Sequence, residues 1–230
     1  MAENVITGFI INISDYEIYD QILTLLLPNN LKLTLIALGT KKILSKNARN
    51  ISLLNQVEAE VFLARNINKI SKLKKIISLY NFSWEDLTNK IFKIFLNYVN
   101  YQKDLKEDFY SLLIYLINHK DEQYQILLSK LLKLIFIDLG LKFYFNDCIN
   151  CHNKFVTIIS IEYASLICSN CNDYKEKSYP LWFIKDFFYF FYDEDKLIFN
   201  DNKQKDWFYI SLNLILIALI DKHAGYKIKI

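Results

Sequence analysis

The sequence predicts an α+β protein, with a small N-terminal β-barrel followed by an all-helical part that carries a four-cysteine module. Three observations predict it. Apolar residues recur at every second position up to about residue 80 and at helical spacing thereafter, and all four cysteines of the 230-residue chain fall in two C-x2-C pairs. With 53% hydrophobic residues the chain can bury a sizeable core, which excludes intrinsic disorder. Gly (4), Pro (2) and Arg (2, against 26 Lys) are scarce while Asn is abundant, a bias that suggests an AT-rich coding sequence and leaves turns marked by Asn.

An opening strand is expected over residues 5–13, rich in β-branched side chains and bounded by Ser14-Asp15. Residues 22–27 and 31–37 flank Pro28-Asn29-Asn30 and read as a hairpin. In its second arm Leu31, Leu33, Leu35 and Ala37 share one face, with Lys32 and Thr34 on the other. Val57, Ala59, Val61 and Leu63 alternate with Gln56, Glu58 and Glu60, giving a further strand. Residues 67–80 are read as strand, although Ile70, Leu73, Ile76, Ile77 and Tyr80 also fit a helical stripe. Four or five short strands in this span suit a small barrel.

The helical part starts with Ser83 as N-cap and Asp86 three residues on, followed by Leu87, Ile91, Ile94, Phe95 and Tyr98 on one face. Further helices are expected over 109–118, 124–139 with Gly140 as the stop, 182–192 and 207–223. The expected domains are therefore 1–80 and 81–230, with the cysteine module at about 146–175. The N-terminus does not read as a signal peptide. The longest apolar stretch, residues 207–220, is broken by Ser211 and Asn213 and is short of the roughly 20 residues a bilayer demands, so a cytoplasmic protein without a membrane partner is expected.

Cys148-Ile149-Asn150-Cys151 and Cys168-Ser169-Asn170-Cys171 carry the sharpest chemistry. Each C-x2-C turn lets two thiolates reach one ion, and two such turns complete the tetrahedron that zinc prefers. The competing readings are free thiols, a redox dithiol and an iron–sulfur cluster. Four thiolates leave no open coordination position, so the zinc is expected to be structural; His152, next to a ligand, reads as a solvent-facing knuckle residue.

Charge is local. Residues 21–82 carry a net +8, while residues 1–20 carry −4 and residues 83–230 carry −1. Lys41, Lys42, Lys46 and Arg49, with Lys32 on the strand before them, lie in a segment without a carboxylate, where a positive field would attract phosphates and release counterions. The alternative is a solvated lysine-rich surface. Phe9, Tyr16, Tyr19 and Phe62 are candidates to stack bases or to fill the core. No phosphate loop or nucleophile elbow is present, and the three histidines are far apart in sequence, so a binding protein rather than an enzyme is expected and no catalytic residue is assigned.

In this order the parts resemble the bacterial recombination and repair mediator family RecO. Ile6-Thr7-Gly8-Phe9-Ile10 resembles the family's opening strand, and Ser14-Asp15-Tyr16-Glu17-Ile18-Tyr19-Asp20 resembles its D-Y-x-E-x-D-like turn. Ala37-Leu38-Gly39-Thr40-Lys41-Lys42 with Ser45-Lys46 resembles its basic loop, which usually carries Arg where this chain has Leu38 and Lys41. Leu139-Gly140-Leu141 leading to Cys148, and residues 219–225, resemble the helix exit and the last helix. The resemblance implies an OB-fold at 1–80 that binds single- and double-stranded DNA through Lys32, Lys41, Lys42, Lys46 and Arg49, and a helical domain with structural Zn2+. It also implies strand annealing, partnership with RecR, contact with the acidic tail of single-strand binding protein, and loading of RecA in the nucleoid. Two rivals stand beside it. One is a deaminase-like metal enzyme, which needs an open ligand position and an H-x-E motif; the other is a zinc-stapled scaffold that binds only proteins.

Overall fold

The computed structural model describes residues 3–64, 70–83 and 86–228, and the chain divides into two compact units, 1–120 and 121–230. Five strands open the first unit: β1 (Glu3–Tyr16), β2 (Asp20–Leu26), β3 (Lys32–Ala37), β4 (Gln56–Phe62) and β5 (Ser71–Tyr80). They close into a barrel in the order β1-β2-β3-β5-β4, the closed five-stranded arrangement expected of an OB-fold. The ladders are antiparallel except for β3 with β5, which run parallel over only two rungs, Leu35–Ser71 and Ile36–Lys72.

Closure depends on β1 serving two neighbours. Its first half pairs with β4 and its second half with β2, with a register shift between Ile10 and Asn12 where the strand bends. At the changeover a Cβ on Gly8 would lie 2.7 Å from the Leu26 carbonyl oxygen, closer than side-chain carbons pack. The alternation read from the sequence fills the interior: Ile10, Leu23, Leu25, Leu35, Ala37, Val57, Ala59, Val61, Leu73 and Ile76 form the barrel core. Leu31 departs from it. That residue precedes β3 in the turn and is exposed. The segment that also fitted a helical stripe is strand over 71–80, because β4 supplies a ladder for it from Phe62–Lys72 to Gln56–Tyr80.

Helices α1 (Asp86–Tyr101) and α2 (Phe109–Asn118) belong to the same compact unit as the barrel, whose edge therefore falls forty residues past the change of period at 80. The reason lies in the contacts. Asn30, at φ 60° in the β2–β3 turn, donates to Asp108 and accepts from the Tyr110 amide, so the turn seats the start of α2. Asp108 is the N-cap, accepting from the Ser111 amide, and hydrogen bonding by Ser111 holds its carboxyl below the usual range. Phe9 packs on Tyr110 with ring centroids 5.1 Å apart, and Asn100 donates to the Ile11 carbonyl. Ile91, Ile94, Phe95 and Tyr98 are buried as expected; the residues after Ser83, 84–85, and the Leu87 side chain lie outside the described part.

The second unit contains α3 (Tyr124–Asp138), a two-stranded hairpin of β6 (Ile158–Ser160) and β7 (Ser165–Ile167), α4 (Leu181–Tyr192) and α5 (Asn202–Ala224). Gly140 at φ 74° ends α3 and Gly225 at φ 64° ends α5. Helix α5 is long and apolar enough to cross a membrane, yet half of its apolar window is buried, and Asn213 donates to the Gln125 carbonyl and side chain, tying it to α3. Glu194 bridges Lys130 at 2.8 Å and Lys133 at 2.7 Å. Burial opposes its ionisation, but the two lysines outweigh burial and hold its pKa down.

Gly8→Ala should destabilise the barrel by about 1–3 kcal/mol, because the new methyl meets backbone rather than a movable side chain. Urea unfolding measures this, and an unchanged midpoint would contradict the close approach.

Candidate nucleic-acid interface and metal centre

The basic loop leaves β3 through Gly39, whose φ of 66° suits a left-handed turn and whose amide donates to Asp20 at 2.7 Å. The Lys41 amide donates to the Tyr19 carbonyl, and the Lys41 ammonium pairs with Asp15 at 2.9 Å. Lys42 places its ammonium 5.6 Å from the centre of the Tyr19 ring. The loop is thus fastened to the β1–β2 turn, so the structure joins the two segments that carried the family resemblance.

Further along, the loop is fastened to β5. Asn47 accepts from the Ile76 amide at 3.2 Å and donates to the Lys74 carbonyl at 3.3 Å, and Asn50 donates to the Ile76 carbonyl at 2.9 Å. These side chains complete the strand edge that β3 leaves after two rungs. Between loop and strand lies an open groove of about 590 Å³ lined by Ser45, Lys46, Asn47, Arg49, Asn50, Lys74, Lys75, Ile76 and Ile77. Lys74 and Lys75 share Glu60, at 3.3 and 3.7 Å, so one carboxylate faces two ammonium groups and the groove stays net positive.

The structure therefore brings Lys46 and Arg49 together with Lys74 and Lys75, which contribute to the charge excess in the sequence without being assigned there to a site. The signal is present in the exposed positions of the alternation Ser71-Lys72-Leu73-Lys74, but strand pairing is needed to set β5 beside the loop. Lys41 and Lys42 stand nearer the β1–β2 turn. Lys32 is placed elsewhere: its ammonium donates to the carbonyls of Val99 and Gln102 and caps the C-terminal end of α1. Among the aromatic candidates Phe9 is core, Phe62 is half-buried, and Tyr16 and Tyr19 are exposed. Arg65 and Lys69 lie outside the described residues.

In the second unit the four cysteine Sγ atoms lie within 4.8 Å of one another, and Cys151 Sγ is 3.6 Å from Cys168 Sγ. A tetrahedral ion with bonds of about 2.3 Å would set sulfur atoms roughly 3.8 Å apart, so the donor set fits one metal. Each pair sits on a tight turn. The His152 amide closes the first onto the Cys148 carbonyl with His152 at φ 58°, and the Cys171 amide closes the second onto Cys168. The β6–β7 hairpin joins them. Burial opposes ionisation of Cys148, but backbone hydrogen bonds at Cys168, Cys151 and Asn150 outweigh it and bring the thiol down to about 6. Hydrogen bonds with Cys151 and Cys168 push Cys171 up to about 12. Cys148 thus gives up its proton readily, whereas the neighbouring thiols hold Cys151 and Cys171 protonated. His152 turns away to Asp147 with its side chain in solvent, and Asp147 also accepts from Tyr144 and Lys154.

No family model matches the chain. Three curated relatives do, each a DNA repair protein RecO: that of Mesoplasma florum is 28% identical over 80% of this chain and 73% of its own length. Those of Mycoplasma mycoides subsp. mycoides and Mycoplasma capricolum subsp. capricolum are 27% and 28% identical over 74% of this chain and 71% of theirs. Similarity that runs through most of both lengths bears out what the chain's own motifs carried: it resembles RecO.

Proposed function

We propose that this chain serves DNA repair and recombination as a RecO-type mediator, binding single- and double-stranded DNA through the barrel unit. The observation that carries the reading is the groove in which Lys46, Arg49, Lys74 and Lys75 converge on a RecO-like barrel. Point charges along a groove neutralise phosphates without reading bases, so binding is expected to be indifferent to sequence and steeply salt-dependent. Annealing follows from the same physics. Screening the repulsion between two strands lowers the barrier to pairing with no covalent step, and the reading accordingly assigns no catalysis. RecR as partner, the acidic tail of single-strand binding protein on the helical unit, assistance to RecA and a place in the cytoplasm at the nucleoid complete the proposal, on the resemblance alone. The protein-only scaffold is the reading it must defeat.

Lys46→Glu combined with Arg49→Glu should weaken single-strand and duplex binding together. The plot of log K against log salt should flatten by roughly one unit for each phosphate that is no longer neutralised. Lys41→Glu with Lys42→Glu should cost less, since Lys41 is already ion-paired. Fluorescence anisotropy across a salt series measures both. A wild-type protein that binds no DNA at low salt would leave the scaffold.

The four cysteines hold, in this reading, one structural zinc ion that supplies cross-linking and no reaction. Cys148, Cys151, Cys168 and Cys171 would be its ligands, and no coordination position remains for substrate. Metal analysis of protein purified under reducing conditions should give one zinc per chain. Cys168→Ser should lower metal content and melting temperature together, because ligation and local folding are coupled. Iron in place of zinc, or no metal at all, would overturn the assignment.

A further inference from the structure

The loop that carries the lysines also carries two of the barrel unit's most exposed aliphatic side chains. Ile43 and Leu44 are 102% and 92% exposed, and Ile18, on the β1–β2 turn, is 77% exposed with Tyr19 beside it at 53%. Single exposed apolar residues need no explanation, but these lie on two segments fastened to each other by Asp20–Gly39, Tyr19–Lys41, Asp15–Lys41 and Tyr19–Lys42. The two segments are thus held side by side by their own neighbours. The apolar surface they carry is interleaved with charge, since Lys41 and Lys42 precede Ile43, and Lys46 follows Leu44 by two residues at the mouth of the groove.

Apolar tips among cations suit a ligand with flat apolar faces spaced along an anionic chain. Protein-binding patches are depleted of charge at their centre, which this one is not. An anionic bilayer would engage the tips but leave the groove beside them unused, whereas an unpaired nucleic-acid strand uses both. Building on the DNA-binding reading above, we propose that Ile43 and Leu44, with Tyr19, form a platform against which unpaired nucleobases pack while Lys46 and Arg49 hold the adjoining phosphates. The surface then takes single strands in preference to duplex, whose base faces are already stacked.

The test is Ile43→Ser combined with Leu44→Ser in the full chain, titrated with an oligothymidylate, a duplex of equal length and an abasic strand that keeps the phosphates without the bases. Both side chains are solvent-exposed, so the variant should keep the wild-type melting temperature. The expected result is a loss of roughly five- to tenfold for the oligothymidylate, a change under about twofold for duplex and abasic strand, and an unaltered salt slope. A wild-type protein that binds none of the three would defeat this inference together with the function it rests on. If the double substitution leaves oligothymidylate binding as tight as in the wild type, the platform is overturned while the basic groove stands. Sedimentation with phosphatidylglycerol vesicles is the last arm. Wild-type sedimentation that disappears in the variant, with strand affinity unchanged, would assign the tips to a lipid surface and overturn the proposal.

Discussion

Every strand of a closed barrel must satisfy the hydrogen-bonding groups on both of its edges, and in this protein one edge runs out of partner. The parallel pairing of β3 with β5 ends after two rungs, while β5 continues for eight residues beyond Lys72. Leaving those backbone groups unpaired beside a packed core would cost free energy comparable to the missing hydrogen bonds. The chain meets the need with side chains: Asn47 both accepts from and donates to the β5 backbone, as a strand residue would, and Asn50 adds a second donor. The position of the basic loop is a consequence. Whatever fills that edge is drawn against β5, so Lys46 and Arg49 come to face Lys74 and Lys75.

A different constraint governs the second unit. Its hairpin has strands of only three residues, too short to be stable alone, and it is reached through two turns that each contain two cysteines. Around the first turn Asp147 gathers Tyr144, His152 and Lys154, and the Lys154 hydrogen bond, foremost among these, holds its carboxyl below the usual range. The four sulfur atoms lie within 4.8 Å of one another, so four thiolates there would repel one another strongly unless a cation sat among them. Ligation of a cation there would therefore be coupled to local folding, while the aromatic packing of Phe143, Phe145 and Phe187 anchors the stretch that enters the segment.

Periodicity reveals the strands and helices because each has one buried face, and cysteine spacing reveals the four-thiol cluster because both pairs are local in sequence. What periodicity cannot show is partnership. Lys32 sits on the polar face of β3, as its alternation implies, yet its charge is committed to the end of α1, a partner sixty-seven residues away that no local pattern records. Asn30 reads as turn chemistry, and it is that, but it also binds the cap of α2, which is why the compact unit runs on to 120. Lys74 and Lys75 contribute to the local charge excess without a place, because their position beside Lys46 depends on the barrel's strand order. In each case the missing information is long-range pairing, which a single strand's pattern does not contain.

The lysine bias of the chain bears on what such a surface can distinguish. Arg would grip a phosphate with a fork of donors and stack on a base, whereas Lys offers a compact, strongly hydrated charge on a flexible stem. A groove built mainly of Lys, with Glu60 moderating two of its members, would attract anionic chains in general, and less strongly as salt rises. Charge of this kind would set how strongly a nucleic-acid strand is held, not which form of strand is chosen. Discrimination would then have to come from a neighbouring surface of different chemistry, and the loop fastened to the β1–β2 turn carries exposed apolar side chains next in sequence to the cations.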